Sequence, residues 1–232
     1  MHLIFNSRKT ALETFSSQCI KLFTLAIIVL TLGTGCEDDP ENPNPAASTD
    51  AVVIVPAFIR DKDGNPVTEP ETLIHESSNL EPVIAPDGHH VTFEEFSRVK
   101  GSVSAECTER GTEMTMKLTG LIPNGVYTLW NLTFLDKTFD PTVEGFNIVG
   151  VGAAGPANGS QSIFVASAEG EGQISLVTPG GDLSMKGSIQ HCALDEMEWH
   201  IIGAYHIDGQ TYGPSKGPKG TVVEQFGFIF KN

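Results

Sequence analysis

Alternation of apolar and polar side chains, cut at short intervals by glycine and proline, leaves this chain few folds to choose from. Met114, Met116 and Leu118 alternate with Thr115, Lys117 and Thr119, a period of two that suits a half-buried β-strand and no helix. Pro123, Asn124 and Gly125 then supply turn chemistry, and the run VYTLWNLTF at 126–134 resumes in extended form, so the two read as a hairpin. Further short strands are expected at 52–59, 102–107, 146–151, 162–168, 173–177, 183–189, 198–206 and 222–230. With 24 Gly and 14 Pro spread between them, the chain is expected to be all-β: a single antiparallel β-sandwich, immunoglobulin-like or jelly-roll-like, with a barrel as the alternative. Phe226, Phe228 and Phe230 share one face of the last strand and read as core, as do Trp130 and Trp199. One helix is expected, because Thr92 with Glu95 three places on makes a capping box and starts about two turns through Val99.

Before this body lies a different kind of sequence. Arg8, Lys9 and Lys21 precede the apolar run LFTLAIIVLTL at 22–32, and small residues lead to Cys36. That order is a signal peptide, and the run rises only ~16 Å as a helix, too little for the ~30 Å hydrocarbon core. The ending resembles a bacterial lipobox, in which the cysteine is acylated and becomes the new N-terminus. It departs from the pattern in one place: Gly33 stands where an aliphatic residue is usual, with Leu32 one position earlier. An ordinary secretory signal with a chance cysteine is the alternative. The long stretch before Lys21 suggests a start of translation downstream of Met1. Residues 1–35 are thus read as the signal, 36–50 as a tether and 51–232 as the domain. The tether carries Glu37, Asp38 and Asp39 and three prolines, a composition that cannot form a core. Acids directly after the lipidated cysteine resemble an export tag for the outer face of the outer membrane. The expected location is therefore the bacterial cell surface, with the periplasmic face as the alternative.

Removing the signal leaves 11 basic and 28 acidic residues on 197, a formal charge of −17. Such a surplus repels phosphate, so nucleic acid is excluded as a partner and the membrane is reached through lipid rather than through basic side chains. Of the four cysteines, Cys19 falls in the signal and Cys36 is taken by lipid. Cys107 and Cys192 remain, and in an oxidising compartment the arithmetic is one disulfide; two buried free thiols are the alternative.

Four segments carry a resemblance: GLIPNGVYTLW at 120–130, EGEGQISLV at 169–177, WHIIGAYHID at 199–208 and GPKGTVVEQFGF at 217–228, preceded by DGHHVTFEEF from Asp87. Together they resemble a family of secreted β-rich domains of bacterial lipoproteins, with the pattern GLxPxGxYTxW … EGxGQISxV … HxxGAYHxD … GPxGTxxEQFGF. The resemblance covers 87–230. It implies a self-contained exported domain, and because that family carries no assigned activity it transfers no site residue.

Residues that could carry chemistry are few. The candidate metal ligands are His89, His90, His191, His200 and His206, for copper or zinc. His200 and His206 share one face of a strand but lie about 20 Å apart at ~3.3 Å per residue, so each needs a partner from elsewhere. His191 adjoins Cys192, and with that thiol reduced the pair would offer soft ligands. His75 completes the set of histidines beyond the signal. Solvated or structural imidazoles are the simpler reading. Gly213 to Gly217 fits G-x-S-x-G around Ser215, and Ser97 with Lys100 fits S-x-x-K, yet neither has the strand–turn–helix or accompanying motifs that nucleophiles need. Asp61, Asp63, Gly64 and Asn65 hint at calcium without a carboxylate at the twelfth position, and a polar turn is simpler. Tyr212, in a glycine-rich loop, is the candidate exposed aromatic for ligand contact. These features point to a surface lipoprotein whose domain binds an extracellular ligand or protein and needs no cofactor; the alternative is a metal-dependent or redox enzyme built on the histidines.

Overall fold

The structure is a computed structural model that describes residues 46–134, 148–196 and 198–230. Cys36, the signal and most of the tether lie outside them. In chain order the strands are β1 (Ala46–Thr49), β2 (Val53–Ile54), β3 (Ile59–Arg60), β4 (His75–Glu76), β5 (Lys100–Thr108), β6 (Gly111–Thr119), β7 (Val126–Phe134), β8 (Ile148–Ala153), β9 (Ile163–Val165), β10 (Gly172–Thr178), β11 (Gly181–Asp182), β12 (Ser188–Ile189), β13 (Glu198–His206) and β14 (Val222–Phe230). Two short α-helices, α1 (Phe93–Ser97) and α2 (Ala193–Glu196), precede β5 and β13.

Two antiparallel sheets form a sandwich, and neither closes into a barrel. One has the order β1-β5-β6-β10; the other runs β2-β14-β13-β7-β8, with β9 also paired to β7. The shared core takes Val103, Met114, Met116 and Ile174 from the first sheet and Tyr127, Trp199, Ile201, Phe226, Phe228 and Phe230 from the second. All-β architecture follows the alternation, and the three phenylalanines are buried as their spacing implies.

Several expectations need correction. The 114–134 hairpin does not form: β6 and β7 belong to different sheets. Their connection, 120–125, closes a tight turn in which Gly125 N donates to Ile122 O, but its other backbone donors lead away from a hairpin: Leu121 N to Gly170 O, Asn124 N to Ser167 O, and Ile122 N to the Tyr127 hydroxyl at 2.9 Å. A tyrosine hydroxyl bonded to backbone a few residues upstream is a corner device of sandwiches. Ala46–Thr49, assigned to the tether, pair with β5 instead, so the chain joins the fold earlier than its composition suggests. The single strand expected at 183–189 does not form: residues 183–187 are the turn of a small hairpin between β11 and β12, and α2 carries no signature legible in the sequence. The capping box at Thr92 and Glu95 is present, and its helix ends at Ser97.

A β-bulge shapes the centre of the second sheet. Gly203 faces Phe226 while Ala204 faces Glu224, leaving Gln225 as the extra residue. Its side chain is fully buried, where it accepts from the Tyr127 hydroxyl at 2.7 Å and donates to Phe96 O at 2.8 Å. Helix α1 is thereby tied to the sandwich through a satisfied polar network.

Candidate functional site

The outer face of the four-stranded sheet carries a shallow trough of about 510 Å³, and register explains its floor. Ser48 stands opposite Ser104, Ser104 opposite Thr115, and Thr115 opposite Ser175, so one row of hydroxyls crosses all four strands. At ~4.8 Å between neighbours the row spans roughly 14 Å. The next row outward holds Glu106 and Glu113, again in register, and the row on the other side holds Lys117 and Gln173. Small side chains between larger charged ones make the depression. Thr115 Oγ1 and Ser175 Oγ lie 3.2 Å apart, and Arg110 pairs with Glu113 at 2.7 Å. Hydrogen bonds from Thr108 and then Arg110 hold the Glu113 carboxyl below its ordinary range, so it stays ionised. The arrangement offers hydroxyl donors and acceptors flanked by carboxylates to an extended polar molecule.

Sequence reading missed this trough. Its residues are ordinary serines and threonines at outward positions of alternating strands, and only strand pairing brings them into one line.

Cys107 and Cys192 are joined in a disulfide with Cα atoms 5.6 Å apart, linking β5 to the start of α2. His191 is exposed beside it. The soft pair of His191 with a reduced Cys192 therefore does not exist here, because a disulfide sulfur lacks the thiolate charge that a metal needs. Among the described residues, one group of three ligand-type side chains converges within 4.8 Å, Cys107, Cys192 and Asp195, and the same argument applies to it.

His200 and His206 share the outer face of the larger sheet, as their spacing requires, and both are buried. His200 Nε2 meets the Glu198 carboxylate at 2.5 Å, under the Phe134 ring. His206 Nε2 lies 2.7 Å from Thr128 Oγ1, and burial holds this imidazole below its usual pKa, with Asp208 acting weakly the other way. His89 lies in the turn before α1, its ring clamped between Asp87 at 2.6 Å and Glu95 at 3.1 Å. The Asp87 hydrogen bond raises its pKa. His90 bonds to Ile74 O and packs against His75. Among the five nominated histidines, no metal-ligand group of three forms.

Tyr212 is half-buried rather than exposed. Its hydroxyl donates to Asp208 and its ring lies 6.2 Å from His206, while Lys216 reaches Glu224 at 3.5 Å. The 209–220 loop is thus pinned down by the residue expected to face a ligand. Ser97 donates to Phe93 O at 2.7 Å, and Ser215 sits in a turn. Asp61 Oδ1 accepts from the backbone of Asp63 and Asn65, the donors of a self-contained turn rather than the oxygens of a calcium cage. Trp199 lies in the core as expected; Trp130 is also buried, but on the opposite face of its sheet, with Ala153, Ile202 and Ala204.

No helix among the described residues is long and apolar enough to cross a membrane. Comparison with protein-family models and with curated proteins finds no match to the chain.

Proposed function

We propose that the protein is an envelope lipoprotein, anchored through Cys36, whose sandwich is a binding module for an extended, hydroxyl-bearing ligand at the cell surface. The observation that carries the binding reading is the hydroxyl row from Ser48 to Ser175 at the floor of the 510 Å³ trough. Rigid strands hold the row, so ligand contact there needs little ordering of side chains. The chemistry offered, many hydroxyls with a few carboxylates, matches a glycan strand better than an apolar peptide or a polyanion. The anchor reading is supported by the order of basic residues, apolar run, small residues and cysteine, and by the acids that follow it. The outer leaflet facing the medium is the favoured address, and the periplasmic face is the alternative.

One experiment joins chemistry to place. Fluorescent oligosaccharides cut from the producing cell's own surface polysaccharide are titrated into the purified full chain in detergent. Thr115→Trp fills the trough from an exposed position and is expected to weaken binding at least about tenfold, the loss of one well-placed contact region. Equal binding by both proteins, or none by either, removes the trough as the site. In the producing cell, palmitate labelling is expected on the native chain and lost in Cys36→Ala.

A further inference from the structure

Away from the trough, the segment between β4 and α1 brings together two imidazoles that are fifteen positions apart. Its backbone closes on itself: Ile74 N donates to Val91 O, Val83 N to Ile74 O, and Val91 N to Val83 O. Bridges between Leu73 and Thr92, His75 and Pro82, and Ile84 and His90 set three short stretches side by side. Ile74, Val83 and Val91 are buried in the core, at 1 % exposure or less, while His75 and His90 stay half-buried. Their rings meet edge to face, with centroids 4.8 Å apart.

The hydrogen bonds of this pair decide what it can do. His90 Nε2 lies 2.7 Å from Ile74 O. A carbonyl only accepts, so Nε2 carries the hydrogen and the neutral ring keeps its lone pair on Nδ1. A backbone carbonyl holding one ring nitrogen so that the other can ligate is the usual outer-shell arrangement of metal-bound histidine. On His75, Nδ1 is shielded from solvent and makes no hydrogen bond of good geometry, although the Leu73 carbonyl lies near the ring and favours its charged form. An orphaned buried nitrogen costs free energy, and an ion or ordered water is the common remedy. Burial, with His90 beside it, also holds the His75 ring below its ordinary pKa, in the neutral form that ligates. The formal charge of −15 draws cations toward the surface.

We propose that His75 and His90 form a two-imidazole site for a single borderline transition cation, zinc or copper, with its remaining positions left to water or an external ligand. The site is independent of the trough and stands whether or not a glycan binds there. His89 takes no part, because Asp87 and Glu95 occupy both of its ring nitrogens.

The test titrates the purified full chain with Zn²⁺ and, separately, Cu²⁺, following heat and metal content after dialysis. One equivalent is expected to bind, His75→Gln and His90→Gln each to weaken it at least about tenfold, and His89→Gln to leave the affinity unchanged. Long-range ¹H–¹⁵N spectra of the unsubstituted chain give a readout that does not depend on the variants folding: Zn²⁺ should move the Nδ1 resonances of His75 and His90. Absence of binding, binding indifferent to both substitutions, equal loss in His89→Gln, or unmoved Nδ1 resonances would each overturn the site.

Discussion

Both sheets obey the same alternation of side chains, yet only the smaller shows it in its burial. In β5, β6 and β10, buried positions take turns with exposed or half-exposed ones, and the outward residues are mostly Ser, Thr, Glu, Gln and Lys, with Val177 an apolar exception. In β13 all nine positions are buried. Its inward face gives Trp199, Ile201 and Tyr205 to the core, and its outward face holds Glu198, His200, Ile202, Ala204 and His206. An antiparallel sheet can keep one face in water, and the first does so. The second is covered on both faces, in part by the 209–220 loop through Tyr212 and Lys216. Solvated hydroxyls thus gather on one side of the molecule, and buried titratable groups on the other.

The largest expected effect that would break this contrast is at Trp130, on the outer face of the larger sheet and only 3 % exposed. Trp130→Ala should cost about 3–5 kcal/mol in denaturant unfolding, whereas Ser104→Ala, at an outward position of the smaller sheet, should stay within about 0.5 kcal/mol. Similar costs for the two would mean that the outer faces do not differ. A smaller effect tests the centre of the larger sheet. A Cβ at Gly203 would stand 2.1 Å from the Phe226 ring, so Gly203→Ala forces that ring to move at a cost of about 1–3 kcal/mol. A stability equal to the parent's would show that the ring is not seated over Gly203.

The smallest effect is one of pH. Burial lowers the pKa of His206 in the fold, so the folded state binds its proton less readily than the unfolded chain does. The sign follows: its contribution is complete above the unfolded value near ~6.5 and is lost as pH falls through the folded one. Thermal unfolding should therefore show a shallower loss of Tm as pH falls below about 6.5 in His206→Gln than in the parent. Coincident slopes would place the titration elsewhere, and the buried face would lose its pH sensitivity.

How much of this was legible in the sequence follows from the same contrast. Met114, Met116 and Leu118 gave their strand directly, because a sheet wetted on one side writes its period into the chain. The run WHIIGAYH of β13 blurs that period, since both faces want apolar or small residues, and only its length and aromatic content mark a strand. Thr92 and Glu95 announced α1 through local hydrogen bonds that need nothing distant. Pairing was not legible: Pro123-Asn124-Gly125 has the composition of a hairpin turn, while the partners that make it a crossover, Gly170, Ser167 and the Tyr127 hydroxyl, lie in other elements or past the turn. The trough and the His75–His90 pair escaped for the same reason, because each is a product of register rather than of spacing along the chain.

The disulfide has one more consequence. Every strand from β6 to β10, and so parts of both sheets, lies between Cys107 and Cys192. With that bond in place the segment is a covalent ring, and a protease that cuts it once releases no fragment. A nicked molecule would keep its mass on a non-reducing gel and fall into two pieces only when reduced. A first cleavage there is an injury that the chain survives in one piece.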